Sequence, residues 1–286
     1  VQIMTAPLVF DQVDYAYGSV QAIKSVSFEL TSGLTGLVGR NGAGKTTMMR
    51  LALGILVPTR GQVRLFDRDP ARDPAWRLRV GYLPQTFEPP RGSRVSDYLT
   101  TLGLLSGIPR SQVRRAVDSA LETVGLLDRR RSRLGSLSGG MLRRVGVAQA
   151  IMHDPDLLIL DEPASGLDPE ERIRLYDTLR QFAATRPVLV STHHVDELER
   201  EADQIWMLSR GCLVWAGTLR GALQSVAGLV REGELSEWEV PRGQVIAKRS
   251  TANGVRWRII GEDQRLSVCD PTLLDAYLFH VGREER

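Results

Sequence analysis

Lysine is almost missing from this chain: of 37 basic residues only Lys24, Lys45 and Lys248 are lysines, and the rest are arginines. So general a bias says little about partners, but it makes each lysine worth inspecting. Cysteine is equally scarce. Cys212 and Cys269 are the only two, far apart in sequence, which argues against a disulfide-framed secreted fold and leaves no metal-ligand spacing. No apolar run approaches the roughly 18 residues needed to span a bilayer, and the first residues lack a basic flank leading into an apolar core. Neither a membrane helix nor a signal peptide is expected, so any work at a membrane would need another chain to cross it. The net charge is only +3. Nucleic-acid binding calls for basic residues clustered on one face, and none is expected here. The one dense run is Arg129 to Arg131 with Arg133, followed by Arg143 and Arg144.

What is present is an ordinary globular composition, 42% hydrophobic and 25% charged over 286 residues, about two domain lengths. Leu8 to Val13 and Val26 to Leu30 alternate apolar and polar residues, as strands with one wet face do. Leu34 to Val38 is a short apolar strand entering a glycine-rich turn, and apolar residues from Lys45 to Leu56 recur at helical spacing until Pro58 and Gly61. Further extended stretches are read at Gln62 to Phe66 and Val80 to Leu83. Between about Arg94 and His153 the 3.6-residue period takes over, with Tyr98, Leu99, Leu102 and Leu105 on one face. Strands return at Leu157 to Leu160, Val188 to Ser191 and Ile205 to Leu208, the first two separated by a helix from Pro169 to about Ala184. Wholly apolar strands alternating with helices predict an α/β fold with a mostly parallel sheet covered on both faces. Regularity fades from about Gly217, which places a boundary near Arg220.

Two motifs carry chemistry. Gly39-Arg40-Asn41-Gly42-Ala43-Gly44-Lys45-Thr46 matches the phosphate-loop pattern between a strand and a helix, the context that pattern requires. Glycines let successive N–H groups turn inward around phosphate oxygens at the positive end of the helix. Lys45 would reach the β and γ phosphates, and the Thr46 hydroxyl would face Mg²⁺. Asp161 and Glu162 follow the apolar strand Leu157 to Leu160. An aspartate at the carboxyl end of a buried parallel strand can hold Mg²⁺ through water, and a glutamate beside it can polarise an attacking water.

Leu137-Ser138-Gly139-Gly140-Met141, then a helix, then Leu157 to Pro163 ending in Asp161-Glu162-Pro163, resembles the ATP-binding subunit of ABC transporters. The resemblance covers roughly residues 8 to 218. Met141 stands where the family signature usually has glutamine. The resemblance implies a P-loop NTPase (RecA-like) core with an antiparallel β subdomain and a helical subdomain. Residues 1–219 would form the nucleotide-binding domain, with the helical part at about 86–153, and 220–286 a small C-terminal α+β accessory region. ATP and Mg²⁺ are the implied ligands. Glu162, His193, Lys45 and Gln85 are the implied catalytic residues. Tyr17, Gly39, Asn41, Gly42, Gly44, Lys45, Thr46 and Thr47 would hold the nucleotide, joined by Ser138, Gly139, Gly140 and Asp168 from a facing subunit. Thr46, Gln85 and Asp161 would serve the metal. Tyr17 is in the place of the aromatic residue that stacks on adenine, with Tyr15 as a possible substitute, while His194 takes no role.

The resemblance further implies a second ATPase subunit, homo- or heterodimeric, and polytopic permease subunits at the cytoplasmic face of the cell membrane. The arginine run at 129 to 133 is either a solvated helix end or a face toward that permease or acidic headgroups. Other ABC classes fit less well. Translation-type members generally carry two cassettes, and repair types insert long coiled coils that the stretch from Lys45 to Ser138 does not contain. The closing segment Pro271 to Phe279 is similar to that of drug, antibiotic or peptide export subunits, so export is favoured over import. Trp238, Trp257 and Tyr277 remain open between that likeness and ordinary core roles.

Overall fold

A computed structural model of the chain describes residues 6–252 and 254–284. Strands β1 (Leu8–Tyr17) and β2 (Val20–Leu30) form a hairpin, followed by β3 (Leu34–Val38), α1 (Lys45–Ala52), β4 (Arg60–Leu65) and β5 (Val80–Leu83). A helical segment holds α2 (Val95–Leu105), α3 (Val113–Thr123) and α4 (Gly139–Ile151). Next come β6 (Leu157–Asp161), α5 (Pro169–Ala183), β7 (Val188–Thr192), β8 (Gln204–Ser209) and β9 (Cys212–Thr218). The described chain ends with α6 (Leu219–Gln224), β10 (Val230–Leu235), β11 (Gln244–Ser250), β12 (Val255–Ile260), β13 (Ser267–Val268) and α7 (Leu273–Glu284).

The main sheet has the order β5-β6-β7-β3-β8-β9, parallel except for the last pair. Every residue of β3, β6 and β7 is buried, which is why those strands read as unbroken apolar runs. A second sheet, β2-β1-β4, is antiparallel and alternates. Phe28 joins the two layers: its ring stacks on Phe10 at 4.4 Å and meets Trp206 of β8 at 4.0 Å. Trp206 is 1% exposed, so the junction is dry.

Several elements differ from the sequence reading for identifiable reasons. The hairpin strands run on to Tyr17 and begin again at Val20, because register shifts near Val13 and left-handed residues at Gln12 (φ 48°) and Ser25 (φ 46°) break the two-residue alternation. Helix α1 stops at Ala52 rather than Leu56. Gly54 adopts φ 61° there and donates its N–H to the Leu51 carbonyl, a glycine-terminated helix end. Leu105, expected on the buried face of α2, is 76% exposed. The boundary expected near Arg220 falls inside α6.

The irregular tail contains a four-stranded antiparallel sheet, β11-β12-β10-β13. Part of it has its own small core around Trp257, Ile259 and Leu266. Helices α6 and α7 instead bury Ala222, Leu273, Ala276 and Tyr277 in the same continuous core as β3, β6 and β7. The aromatic junction between the two N-terminal layers generates a stability prediction. Trp206→Ala should lower the unfolding free energy by about 3–5 kcal/mol in a urea titration.

Candidate nucleotide site

Strands β6, β7 and β3 lie side by side, so the turns leaving their carboxyl ends open onto one edge of the sheet. Ligands of parallel α/β sheets bind at such edges. The turn after β3 is the glycine-rich loop. Gly44 (φ 112°) is its last residue, and a Cβ there would lie 2.8 Å from the carbonyl oxygen of Ala22, so only glycine lets the loop pack this close to β2. No side chain caps α1, which leaves the N–H groups of its first turn to face an anion.

Lys45 is 6% exposed. Its Nζ donates to the Gly39 carbonyl at 2.7 Å and stands 3.7 Å from the Glu162 carboxylate. Burial pulls its pKa below the usual lysine range, opposed by the neighbouring charges of Glu162 and Asp161. Thr46 Oγ1 donates to Asp161 Oδ2 at 2.7 Å, and Ser191 Oγ donates to the other oxygen of that wholly buried carboxylate. Ser191 Oγ also accepts the Glu162 N–H at 2.9 Å. Glu162 itself is held at φ 51°, a left-handed backbone that a non-glycine residue keeps only when its surroundings enforce it. Its carboxylate reaches His193 Nδ1 at 3.0 Å. His194 lies with its ring 4.0 Å from that of His193.

A cavity of about 690 Å³ opens over the glycine loop, Lys45, Thr46 and Glu162, with Asp161 and His193 behind its lining. Tyr17, Asn41, Gly42, Gly44, Lys45, Thr46, Thr47, Gln85 and Glu162 all line it. Gly39 stands behind the wall as the acceptor for Lys45. Tyr17 is 45% exposed, whereas Tyr15 packs against the core beneath it and does not line the cavity. Of the two tyrosines, Tyr17 is the one that faces the cavity. Lys24 and Arg210 also line the cavity, so two of the chain's lysines meet here, a convergence that spacing in sequence did not reveal.

Ser138, Gly139, Gly140 and Asp168 lie outside that cavity. Ser138 caps α4, its Oγ accepting the Met141 N–H at 3.1 Å. Asp168 caps α5 in a reciprocal capping box with Glu171, and Glu171 also binds Arg144 at 2.7 Å. A Cβ on Gly140 would lie 2.4 Å from the Glu171 carboxylate, while one on Gly139 would meet no atom within 4 Å.

Two residues that brace the site escaped the sequence reading. Arg143 of α4, counted there as part of a basic run, is 8% exposed. Its guanidinium donates to the carbonyls of Pro84 (2.9 Å), Gln85 (3.0 Å), Asp161 and Glu162 (2.8 Å). One planar cation thus fastens the glutamine turn and the acidic strand end to the helix that carries the signature. Its position one turn inside that helix was the only available signal. Glu197 is the second: it accepts from Tyr176 and Thr192 and pairs with Arg172 at 3.1 Å, which ties the segment around His193 to α5. In the arginine run, Arg129 pairs with Asp128 and Arg130 with Asp118, so part of its charge is met within the chain.

Comparison with known proteins bears on the same residues. The sequence profile of the ABC transporter family matches residues 23–165. The chain is 37% identical over 206 residues to the ABC transporter ATP-binding protein YxlF of Bacillus subtilis, covering 72% of this chain and 68% of that protein. It is 32% identical over 276 residues to Nod factor export ATP-binding protein I of Burkholderia orbicola, covering 96% of this chain and 90% of that one. Among solved structures, an ATP-binding subunit of an ABC transporter superposes with a TM-score of 0.70 at 26% identity, over 76% of this chain and 92% of the other. A phosphate loop, an acidic pair and a histidine gathered at one sheet edge, in a chain with these relatives, make this protein a member of the ABC transporter ATP-binding family, whose domain binds and hydrolyses ATP.

Proposed function

We propose that the chain is the ATP-hydrolysing subunit of an ABC exporter, acting as a head-to-tail pair with a second ATPase subunit on the cytoplasmic side of separate polytopic membrane subunits. The observation that carries the pairing is Gly139. It has neither a left-handed backbone nor a neighbour that a Cβ would strike, so nothing within the chain requires glycine at that exposed helix start. A ligand approaching from outside does require it: a γ-phosphate held by the facing subunit would come against Ser138, Gly139 and the N–H groups of α4. The likeness to a Nod factor export protein runs through 96% of this chain, tail included, and this supports export.

Within the cavity, Tyr17 stacks on adenine and the glycine loop wraps the phosphates. Lys45 moves its ammonium from the Gly39 carbonyl onto the β and γ phosphates. Thr46 and Asp161 place hard oxygen donors 2.7 Å apart, with Gln85 on the cavity wall, a donor set that fits Mg²⁺. When bound, that ion would neutralise charge on the phosphates. Glu162 accepts a hydrogen bond from the attacking water, and His193, already on the Glu162 carboxylate, turns to the γ-phosphate. Closure of the pair excludes water and assembles these groups only around ATP. Phosphate release reopens it, and the cycle drives the membrane subunits. Asp168, at the start of α5, would then lie along the subunit interface.

Three variants test this reading. Glu162→Gln should keep ATP binding, lower turnover by about 10²- to 10⁴-fold and accumulate a dimer visible by size-exclusion chromatography with ATP; normal turnover would refute the role. Lys45→Ala should lose affinity for a fluorescent ATP analogue. Arg143→Lys cannot reach four carbonyls with one point charge, and misplacing the acidic strand end should lower kcat by about 10- to 100-fold with ATP still bound.

A further inference from the structure

The phosphate loop touches the far end of the chain. The Arg40 N–H donates to the Tyr277 hydroxyl at 3.1 Å, a contact across 237 residues of sequence. Tyr277 is 6% exposed and sits on α7. In the same peptide unit, the Gly39 carbonyl accepts Lys45 Nζ at 2.7 Å. The C=O and N–H of a trans peptide point in opposite directions. The Gly39–Arg40 peptide is therefore held from both sides, by the lysine within the site and by the tyrosine outside it.

Helix α7 is itself fixed from two directions. Asp275, wholly buried near its start, binds Arg258 of β12 and accepts from the Thr272 N–H at 2.7 Å. The Leu273 N–H reaches Glu199, just beyond the histidine segment, at 3.3 Å. Tyr277 follows Asp275 by two residues, so the two side chains leave α7 on different faces. One face grips the C-terminal sheet and the other meets the phosphate loop.

We propose that Tyr277 is a positioning residue for ATP binding, acting through the Gly39–Arg40 peptide to set where Lys45 stands. The proposal rests on the reading of the cavity as the ATP site. Without the hydroxyl, the Arg40 N–H faces a buried ring edge with no acceptor there, and turning the peptide to find one swings the Gly39 carbonyl away from Lys45. The C-terminal region thereby contributes to the nucleotide site without touching the nucleotide.

Tyr277→Phe keeps the ring and removes one oxygen, which makes it the decisive variant. In the full chain, the KM for ATP and the dissociation constant of a fluorescent ATP analogue should each rise about three- to tenfold. The value of kcat should change by less than about twofold and the thermal midpoint should fall by no more than about 2–4 °C. Hydrogen exchange at the Arg40 amide should quicken while β3 remains protected. Unchanged affinity would overturn the proposal, as would a joint fall in kcat, affinity and thermal midpoint, which marks a loosened fold. A wild-type chain that binds no ATP would overturn the ATP reading as well, and the same assay detects that first.

Discussion

A primary ammonium buried at the root of a loop must be balanced where it stands, and the site is organised around that constraint. Lys45 gains the carbonyls of Gly39 and Arg40 from its own loop and the nearby carboxylate of Glu162. Neither fully replaces water, and burial still pulls its pKa down. Such a lysine is poised for a polyanion, because phosphate oxygens supply the compensation the protein supplies only in part. Glu162, in turn, divides its carboxylate between Lys45 and His193. The site is thus a closed set of opposite charges that a triphosphate would redistribute. Arginine would not serve, since its broad fork cannot sit inside the loop where a compact ammonium meets the Gly39 and Arg40 carbonyls. That is a physical reason for lysine at this position in a chain otherwise committed to arginine.

Backbone carbonyls do as much of the fastening as side-chain charges. Arg143 spans the carbonyls of Pro84 and Gln85 on one side and of Asp161 and Glu162 on the other, so signature helix, glutamine turn and acidic strand end move together or not at all. A rotation of the helical segment therefore pulls directly on the backbone of Glu162, already held at φ 51°. Glu197 provides a parallel link from α5 to Thr192. Two connections thus lead from the helices to the acidic strand end and to the segment around His193.

How much of this was legible in the sequence follows from the kind of signal each part leaves. Buried parallel strands leave unbroken apolar runs, so β3, β6 and β7 were found almost to the residue. The phosphate loop, Asp161 and Glu162 were found because their chemistry demands residue types at fixed spacing. Arg143 was not, because carbonyl acceptors are identical at every position and write nothing into the sequence, and Glu197 was not, because its partners Arg172, Tyr176 and Thr192 stand at no spacing that marks them. The hairpin was clipped where bulges broke its alternation. The tail looked irregular because its strands β10 and β11 are half exposed and α7 buries only one face. The contact from Tyr277 to Arg40 could not have been read at all, since one partner is a backbone N–H.

The two glycines of the signature show where a single chain stops explaining itself. Gly140 is required from within: a Cβ would strike Glu171, the residue that closes the capping box on Asp168 and binds Arg144. Gly139, one residue earlier, meets nothing. Helix propensity argues against glycine there, at a cost of up to about 1 kcal/mol relative to alanine in a helix interior. A residue that weakens its own helix and relieves no internal contact makes sense if a body outside the chain must come within a Cβ radius of the backbone. The N–H groups of α4 and the Ser138 hydroxyl sit at that same exposed point, which makes the body an anion. Under the proposed head-to-tail pair, that anion is the γ-phosphate of a triphosphate held by the facing subunit.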